Sequence, residues 1–378
     1  MKKFPSLCFV GTCLFVLLIT GIGCNSSEPE TEPMGPIDEP NDLLEFAFEP
    51  ENLTLEYPDW LGQIEIPADN PMTVQGVDLG RRLFFDPILS ADSTMSCSTC
   101  HNPTESFSDG LATSPGIDGI LGRRSTMSLV NIAFVNHGLN WNGSAQTLEE
   151  QALEPVINEI ELHETWPNVI NKLQAHDTYP QLFREAFGIS DRDEMTKELA
   201  AKAIAQFERT LISFNSRYDQ IRFGTGVFYE DDEANGRDLF FFELAAGLDH
   251  PGCSHCHGGV QFAESSFFNN GLTEAATFND FPDKGLGEVT NLATDNGLFR
   301  PPTLRNIALT GPYMHDGRFE TLEEVLDHYK SGGHPSPNVS ANIQPFTLSD
   351  EDRSNLIAFL NTLTDTSFIN NPAFQSPF

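Results

Sequence analysis

Two five-residue runs hold the residues most able to do chemistry: Cys97-Ser98-Thr99-Cys100-His101 and Cys253-Ser254-His255-Cys256-His257. In each, two thiols lie about one helical turn apart and a histidine follows the second, which is the attachment pattern of a c-type haem. The thiols form thioethers with the vinyl groups of the porphyrin, and the adjacent imidazole is then held under the iron as its axial ligand. A four-cysteine zinc site would use the sulfurs but gives no reason for the histidine after each pair. Disulfides across the pairs would leave both histidines idle. The spacing therefore predicts two covalently bound haem c groups.

The elements that must carry these motifs are duplicated. Gly80-Arg81-Arg82-Leu83-Phe84-Phe85 starts seventeen residues before Cys97, and Gly236-Arg237-Asp238-Leu239-Phe240-Phe241 starts seventeen before Cys253. Downstream, Leu129-Val130-Asn131-Ile132-Ala133 is echoed by Leu304-Arg305-Asn306-Ile307-Ala308, and Thr147-Leu148-Glu149-Glu150 by Thr321-Leu322-Glu323-Glu324. Each threonine suits a helix N-cap, with the third helical residue closing a capping box. Lys197 to Ile212 and Glu351 to Leu363 show apolar residues at helical spacing, and no strand-like alternation is sustained. The reading is an all-α chain of two tandem cytochrome c-like domains related by internal duplication, with a boundary near Arg217 to Asp232. Eight residues after the capping threonine the copies differ. The first has Pro155, which cannot bind iron, and the second has Tyr329, which can. One haem is then open on its distal side, and the other is closed by Tyr329, unless that tyrosine is an ordinary core aromatic.

Composition sets the context. The 378 residues contain 39 % hydrophobic residues and 10 % aromatics, enough for packed cores. A formal charge of −34 repels nucleic acid and suits a basic redox partner. Lys2 and Lys3 precede an apolar run from Leu7 to Ile22, a secretory signal in form. Ile19 to Cys24 resembles a lipoprotein box, with Gly21 where leucine is usual, so Cys24 is the expected lipidated residue. An ordinary signal peptide cut nearby is the alternative. The expected organisation is a leader (1–24), a flexible acidic tether (25–59), an N-terminal peroxidatic haem domain (60–220) and a C-terminal electron-transfer haem domain (221–378). It implies a periplasmic or cell-surface location, with membrane contact only through the lipid.

These residues resemble the bacterial di-haem cytochrome c peroxidase and MauG family from about Gly76 to Phe368. The resemblance rests on Leu83 to Ser90, on the first haem motif with Asn102-Pro103, on Leu148 to Ala152, on Pro302 to Asn306 and on Thr310 to Gly317. It implies an enzyme acting on hydrogen peroxide. Trp141 matches an indole that relays electrons between the haems. Gln151, Pro155 and Glu161 match the distal pocket of the first haem, with Glu161 as acid–base group and Gln151 orienting peroxide. Thr310 and Pro312 match carbonyl ligands of one Ca²⁺, while Ser125 replaces the family's asparagine there.

Two departures bear on the subtype. Family peroxidases that must be activated by reduction cap the first iron with a histidine, at a position that is Ile117 here. They also place methionine where this chain has Tyr329. Both departures resemble the MauG branch, which oxidises a side chain of a separate protein. MauG's surface tryptophan before the second motif is Pro251 here. The leading expectation is a MauG-like peroxidase; the alternative is a peroxidase reducing hydrogen peroxide to water with electrons from a small c-type cytochrome. A pure electron carrier would have no use for Glu161. His328, Met314 and His315 remain further candidates for the second iron, with His315 expected to play a supporting part.

Overall fold

The repeated Gly-Arg-x-Leu-Phe-Phe segments become the two central helices, and each uses its glycine for close packing. In the computed structural model, which describes residues 42–224, 226–241 and 251–378, the chain forms α1 (Val74–Phe85), α2 (Cys97–Cys100), α3 (Leu148–Gln151), α4 (Glu154–Ile157), α5 (Trp166–Ala175), α6 (Tyr179–Phe187) and α7 (Lys197–Glu208). There follow α8 (Arg217–Arg222), α9 (Asp231–Phe241), α10 (Gly287–Thr290), α11 (Leu322–Ser331), α12 (Asp350–Asn361) and α13 (Thr366–Ile369). Short 3₁₀ turns and isolated bridges connect them, and the described residues contain no strand. The all-α reading holds.

In the first module α1 packs on α7, and a methyl group on Gly80 would collide with the Ala203 carbonyl. In the second, α9 packs on α12, and a methyl group on Gly236 would collide with the Asn355 carbonyl. Only glycine lets the two backbones approach so closely. The side chains flanking these crossings form two separate cores. One contains Leu79, Leu83, Phe84, Phe107, Ile204 and Phe207. The other contains Phe240, Phe262, Leu326, Leu356, Phe359 and Leu363. Full burial of such side chains contributes about 1.5–3 kcal/mol each, which is what drives the helices together.

The second repeated signature locks each module in the same way. Asn131 and Asn306 both adopt left-handed backbone, with φ of 56° and 60°, a conformation that asparagine tolerates. The Asn131 N–H donates to Leu211 O (2.9 Å), and its Oδ1 accepts from Ser213 N–H (2.7 Å). The Asn306 N–H donates to Leu363 O (3.0 Å), and its Oδ1 accepts from Asp365 N–H (2.6 Å). Each asparagine thus ties the loop after a haem motif to the segment that follows α7 or α12.

The third signature diverges. Thr147 caps α3 through Glu150 N–H (3.1 Å), but the Glu150 carboxylate reaches the Gln146 N–H instead of closing a capping box. At Thr321 the box with Glu324 is complete. The first of these helices stops at Gln151, four residues before Pro155, because a proline ring clashes with the carbonyl four residues back and donates no hydrogen bond. Its counterpart α11 runs ten residues and includes Tyr329.

Both ends of the described chain reach the first core. The leader, Cys24 and the tether up to residue 41 lie outside the described residues. From Asp42 onward the chain is packed, with Leu43 1 % exposed in the first core, because an apolar side chain there gains more from burial than a free tether would. The C-terminal segment, assigned with the second domain, sends Phe368 and Phe374 into the first core. No helix among the described residues is long and apolar enough to cross a membrane.

Candidate haem sites

The first attachment motif opens on Ser96, which makes a capping box with Thr99 and winds Cys97 to Cys100 into one helical turn. The two thiols are free rather than bridged, and so are Cys253 and Cys256. Burial pushes Cys97 and Cys253 up to about 12, and Cys100 and Cys256 up to about 11. Burial disfavours the charged form of all four thiols. The His101 Nδ1 is paired with the Phe107 carbonyl at 2.9 Å, which leaves Nε2 for iron. The His257 Nδ1 faces the carbonyls of Phe262 and Pro302, both at 3.2 Å. Burial keeps both imidazoles neutral, lowering His101 and taking His257 down to about 4. Neutral imidazole is the ligating form.

Above the first motif lies the segment that Pro155 interrupts. The Glu161 Oε1 accepts from Asn158 Nδ2 (2.8 Å), which leaves Oε2 free to take a proton. Desolvation raises the Glu161 carboxyl, opposed by the Asn158 hydrogen bond and reinforced by Glu154. Its charge is felt at both Cys97 and Cys100, which puts it within electrostatic reach of the attachment site. The loop bearing Ile117 is tied to the same segment by Ile117 N–H donating to Glu161 O (2.9 Å). Asp118 and His163 pair at 2.6 Å beside it. Gln151 ends α3 and Pro155 lies in α4, both half-buried.

Around the second motif the chain encloses a large cavity, about 1550 Å³ of space with its open mouth included. Cys253, Cys256 and His257 line it, as do Leu326, Tyr329 and Leu360. Burial pushes the Tyr329 phenol up to about 12. The Asn270 Nδ2 lies 3.4 Å from the Tyr329 oxygen and 3.3 Å from the Met314 sulfur. Of the other candidate ligands, His328 commits Nε2 to the Asn270 carbonyl at 3.0 Å. His315 is stacked on Phe299, centroids 3.8 Å apart, and meets Trp141 edge-on at 6.4 Å. Burial takes His315 down to about 4, as suits a packed neutral ring.

The two modules meet at Trp141 and Ser125. The Trp141 Nε1–H donates to Ser125 O (2.8 Å), and Arg300 N–H of the second module donates to Trp141 O (2.9 Å). Ser125 also donates from N–H to His315 O and from its hydroxyl to Met314 O, both at 2.8 Å. Trp141, Ser125, Thr310 and Pro312 all line the second cavity.

Whether this cavity suits a haem can be tested on Arg300, a residue the sequence reading passed over. Its side chain lines the cavity, the residue is 3 % exposed, and its side-chain partners among the described residues are Asn140 O and the Met127 sulfur. Burial alone lowers it to about 10, with no carboxylate opposing. A buried guanidinium without an anion is strongly unfavourable. Haem propionates supply that anion, and the site fits the group. Nothing in the run Arg300-Pro301-Pro302 marks the arginine as buried, which is why only the fold reveals it.

Comparison with known proteins gives a consistent result. A model of the family described as di-haem cytochrome c peroxidase matches residues 74–226. The methylamine utilization protein MauG of Methylorubrum extorquens is 37 % identical over 298 residues, covering 79 % of this chain and 80 % of that protein. The cytochrome c551 peroxidase of Nitrosomonas europaea is 32 % identical over 312 residues, covering 82 % and 85 %. Among solved structures, a MauG-like protein associated with microbial copper homeostasis superposes with a TM-score of 0.77 at 33 % identity, covering 86 % of this chain and 99 % of that one.

Proposed function

Because the chain belongs to the di-haem cytochrome c peroxidase family, and is on that ground a haem peroxidase, we propose that it is a MauG-like enzyme. It activates hydrogen peroxide at the haem on Cys97 and Cys100 and oxidises a side chain of a separate protein through both haems. One observation carries this reading: the first of the duplicated helices stops before Pro155, whereas its counterpart continues through Tyr329, which lines the second cavity. Ile117, in the loop tied to Glu161, adds no ligating atom.

The haems supply the iron that cleaves the O–O bond and the capacity to hold two oxidising equivalents. The protein supplies the rest. Glu161 takes a proton from peroxide at its free Oε2 and returns it to the departing oxygen, a task helped by a carboxyl whose proton affinity is raised. Gln151 orients peroxide by hydrogen bonding. Trp141, held by Ser125 O at the junction, relays electrons between modules. His101 and His257 would hold the two haem irons through their imidazoles, and Tyr329 would hold the second through its phenol. Thr310 and Pro312 would hold one Ca²⁺ through their carbonyls, with Ser125 lining the same cavity. The chain is exported to the periplasm or cell surface and anchored through lipidated Cys24.

The test is to mix fully ferric enzyme with one equivalent of hydrogen peroxide and follow the haem spectrum by stopped flow. Fast spectral conversion of both haems is expected. A reaction that waits for reduction of the second haem overturns the proposal. It would favour the second reading, a peroxidase fed by a small c-type cytochrome, which the likeness to the Nitrosomonas europaea peroxidase supports.

A further inference from the structure

We infer that Asn270 is a positioning residue that selects oxygen over sulfur at the second haem, presenting Tyr329 and withholding Met314. The inference rests on Tyr329 as the distal ligand.

The orientation of the Asn270 amide is set by its surroundings. Its Oδ1 accepts from the Leu272 N–H at 3.3 Å, and a backbone N–H can only donate. The other end of the amide is therefore the NH₂ group, aimed at the cavity. There it meets the Tyr329 oxygen at 3.4 Å and the Met314 sulfur at 3.3 Å. Asn270 also takes the His328 Nε2–H on its own carbonyl at 3.0 Å, which docks α11 one residue before Tyr329. One residue thus fixes both the helix that carries the phenol and the phenol itself.

Met314 is a real competitor. Its sulfur and the Tyr329 oxygen lie within 3.4 Å of the same nitrogen, so the two atoms are under about 7 Å apart, and both residues line the cavity. Met314 has φ of 77°, a strained conformation for a residue with a long side chain. That strain persists because Ser125 Oγ–H (2.8 Å) and Gly317 N–H (3.2 Å) both hold its carbonyl. The methionine is fixed beside the phenol rather than directed elsewhere. Donation from Asn270 engages the sulfur lone pair and aligns the phenol oxygen. Without it, thioether and phenol compete on equal terms.

The experiment uses holoenzyme carrying Asn270→Leu, and Asn270→Asp as the variant that keeps the acceptor for Leu272 and so preserves the turn. Absorption and magnetic circular dichroism identify the distal ligand, and redox titration gives the potential. Both variants are expected to gain a thioether-ligated population at the second haem. Because thioether ligation raises the potential, the reduced-to-oxidised ratio at fixed ambient potential should rise about tenfold, about 59 mV for one electron. Adding Met314→Leu to either variant should remove that population. Variants with unchanged ligation and potential overturn the inference. Tyr329→Phe separates the two claims: if it leaves the wild-type spectrum intact, Tyr329 is not the ligand and the premise falls, whatever Asn270 does.

Discussion

The two modules share a frame and differ in what they hold inside it. Gly80 and Gly236 let equivalent helices cross, Asn131 and Asn306 lock equivalent loops, and each attachment motif starts seventeen residues after its glycine. Three substitutions within that frame separate them. Pro155 stands against Tyr329 eight residues after the capping threonine. Val130 stands against Arg305 in the repeated Leu-x-Asn signature. The third follows from the partners of the two asparagines: three residues before Leu211 is Glu208, and three before Leu363 is Leu360, which lines the second cavity. The comparison shows duplication preserving what holds a haem and varying what touches it.

The strongest way to break this comparison is to remove Glu161, the residue proposed as the acid–base group of the first module. Glu161→Gln is expected to slow the reaction with peroxide about 10²–10⁴-fold while leaving haem content unchanged. A loss below tenfold in stopped flow would reduce the first pocket to an open coordination site and nothing more.

The next contrast concerns stability. Arg305 is 1 % exposed and makes a two-point pair with Asp219 at 2.9 and 3.0 Å, while Nε and Nη2 both donate to Val260 O. Its counterpart Val130 is simply buried. Arg305→Met strands the Asp219 carboxylate and is expected to cost about 3–5 kcal/mol. Val130→Ala should cost about 2 kcal/mol. Urea denaturation followed at each haem's absorption would measure both, and equal losses would contradict the asymmetry.

The smallest effect is a pH dependence confined to the first module. Glu208 is 5 % exposed, its Oε2 has no hydrogen-bond partner, and burial raises its carboxyl to about 8 from the ordinary 4.5. The folded state therefore binds the proton more tightly than the unfolded chain. Stability from this group is complete below pH 4.5 and declines as pH rises towards 8, on the order of 3 kcal/mol across that window. Glu208→Gln should flatten the decline in thermal melting temperature over this range. A wild-type curve that is already flat would mean the carboxyl is ionised and paired in the native protein.

Much of this was legible in the sequence because it depends on spacing. Both haem motifs follow their glycines by seventeen residues, the two asparagines recur in the same local signature, and the helical class follows from periodicity. Pro155 against Tyr329 was visible for the same reason: eight residues past the cap, a proline cannot continue the helix its counterpart forms. What the sequence hid depends on orientation. Asn270 is one of two adjacent asparagines in a loop, and only the Leu272 N–H decides which way its amide points. Arg300 and Glu208 look like two more charges in a highly charged chain until the fold buries both of them. The packing of Leu43 was masked by the polar residues around it.

The C-terminal tail has a consequence for the order of events. Phe368 meets Phe107 edge-on at 5.8 Å, and the carbonyl of Phe107 orients His101. Arg81 of α1 reaches the carbonyls of Pro372 and Gln375 at 2.7 and 2.8 Å. The side of the molecule that orients the His101 imidazole is therefore finished by residues that follow the second attachment motif in sequence. The first module closes only once the chain has passed through the second and come back.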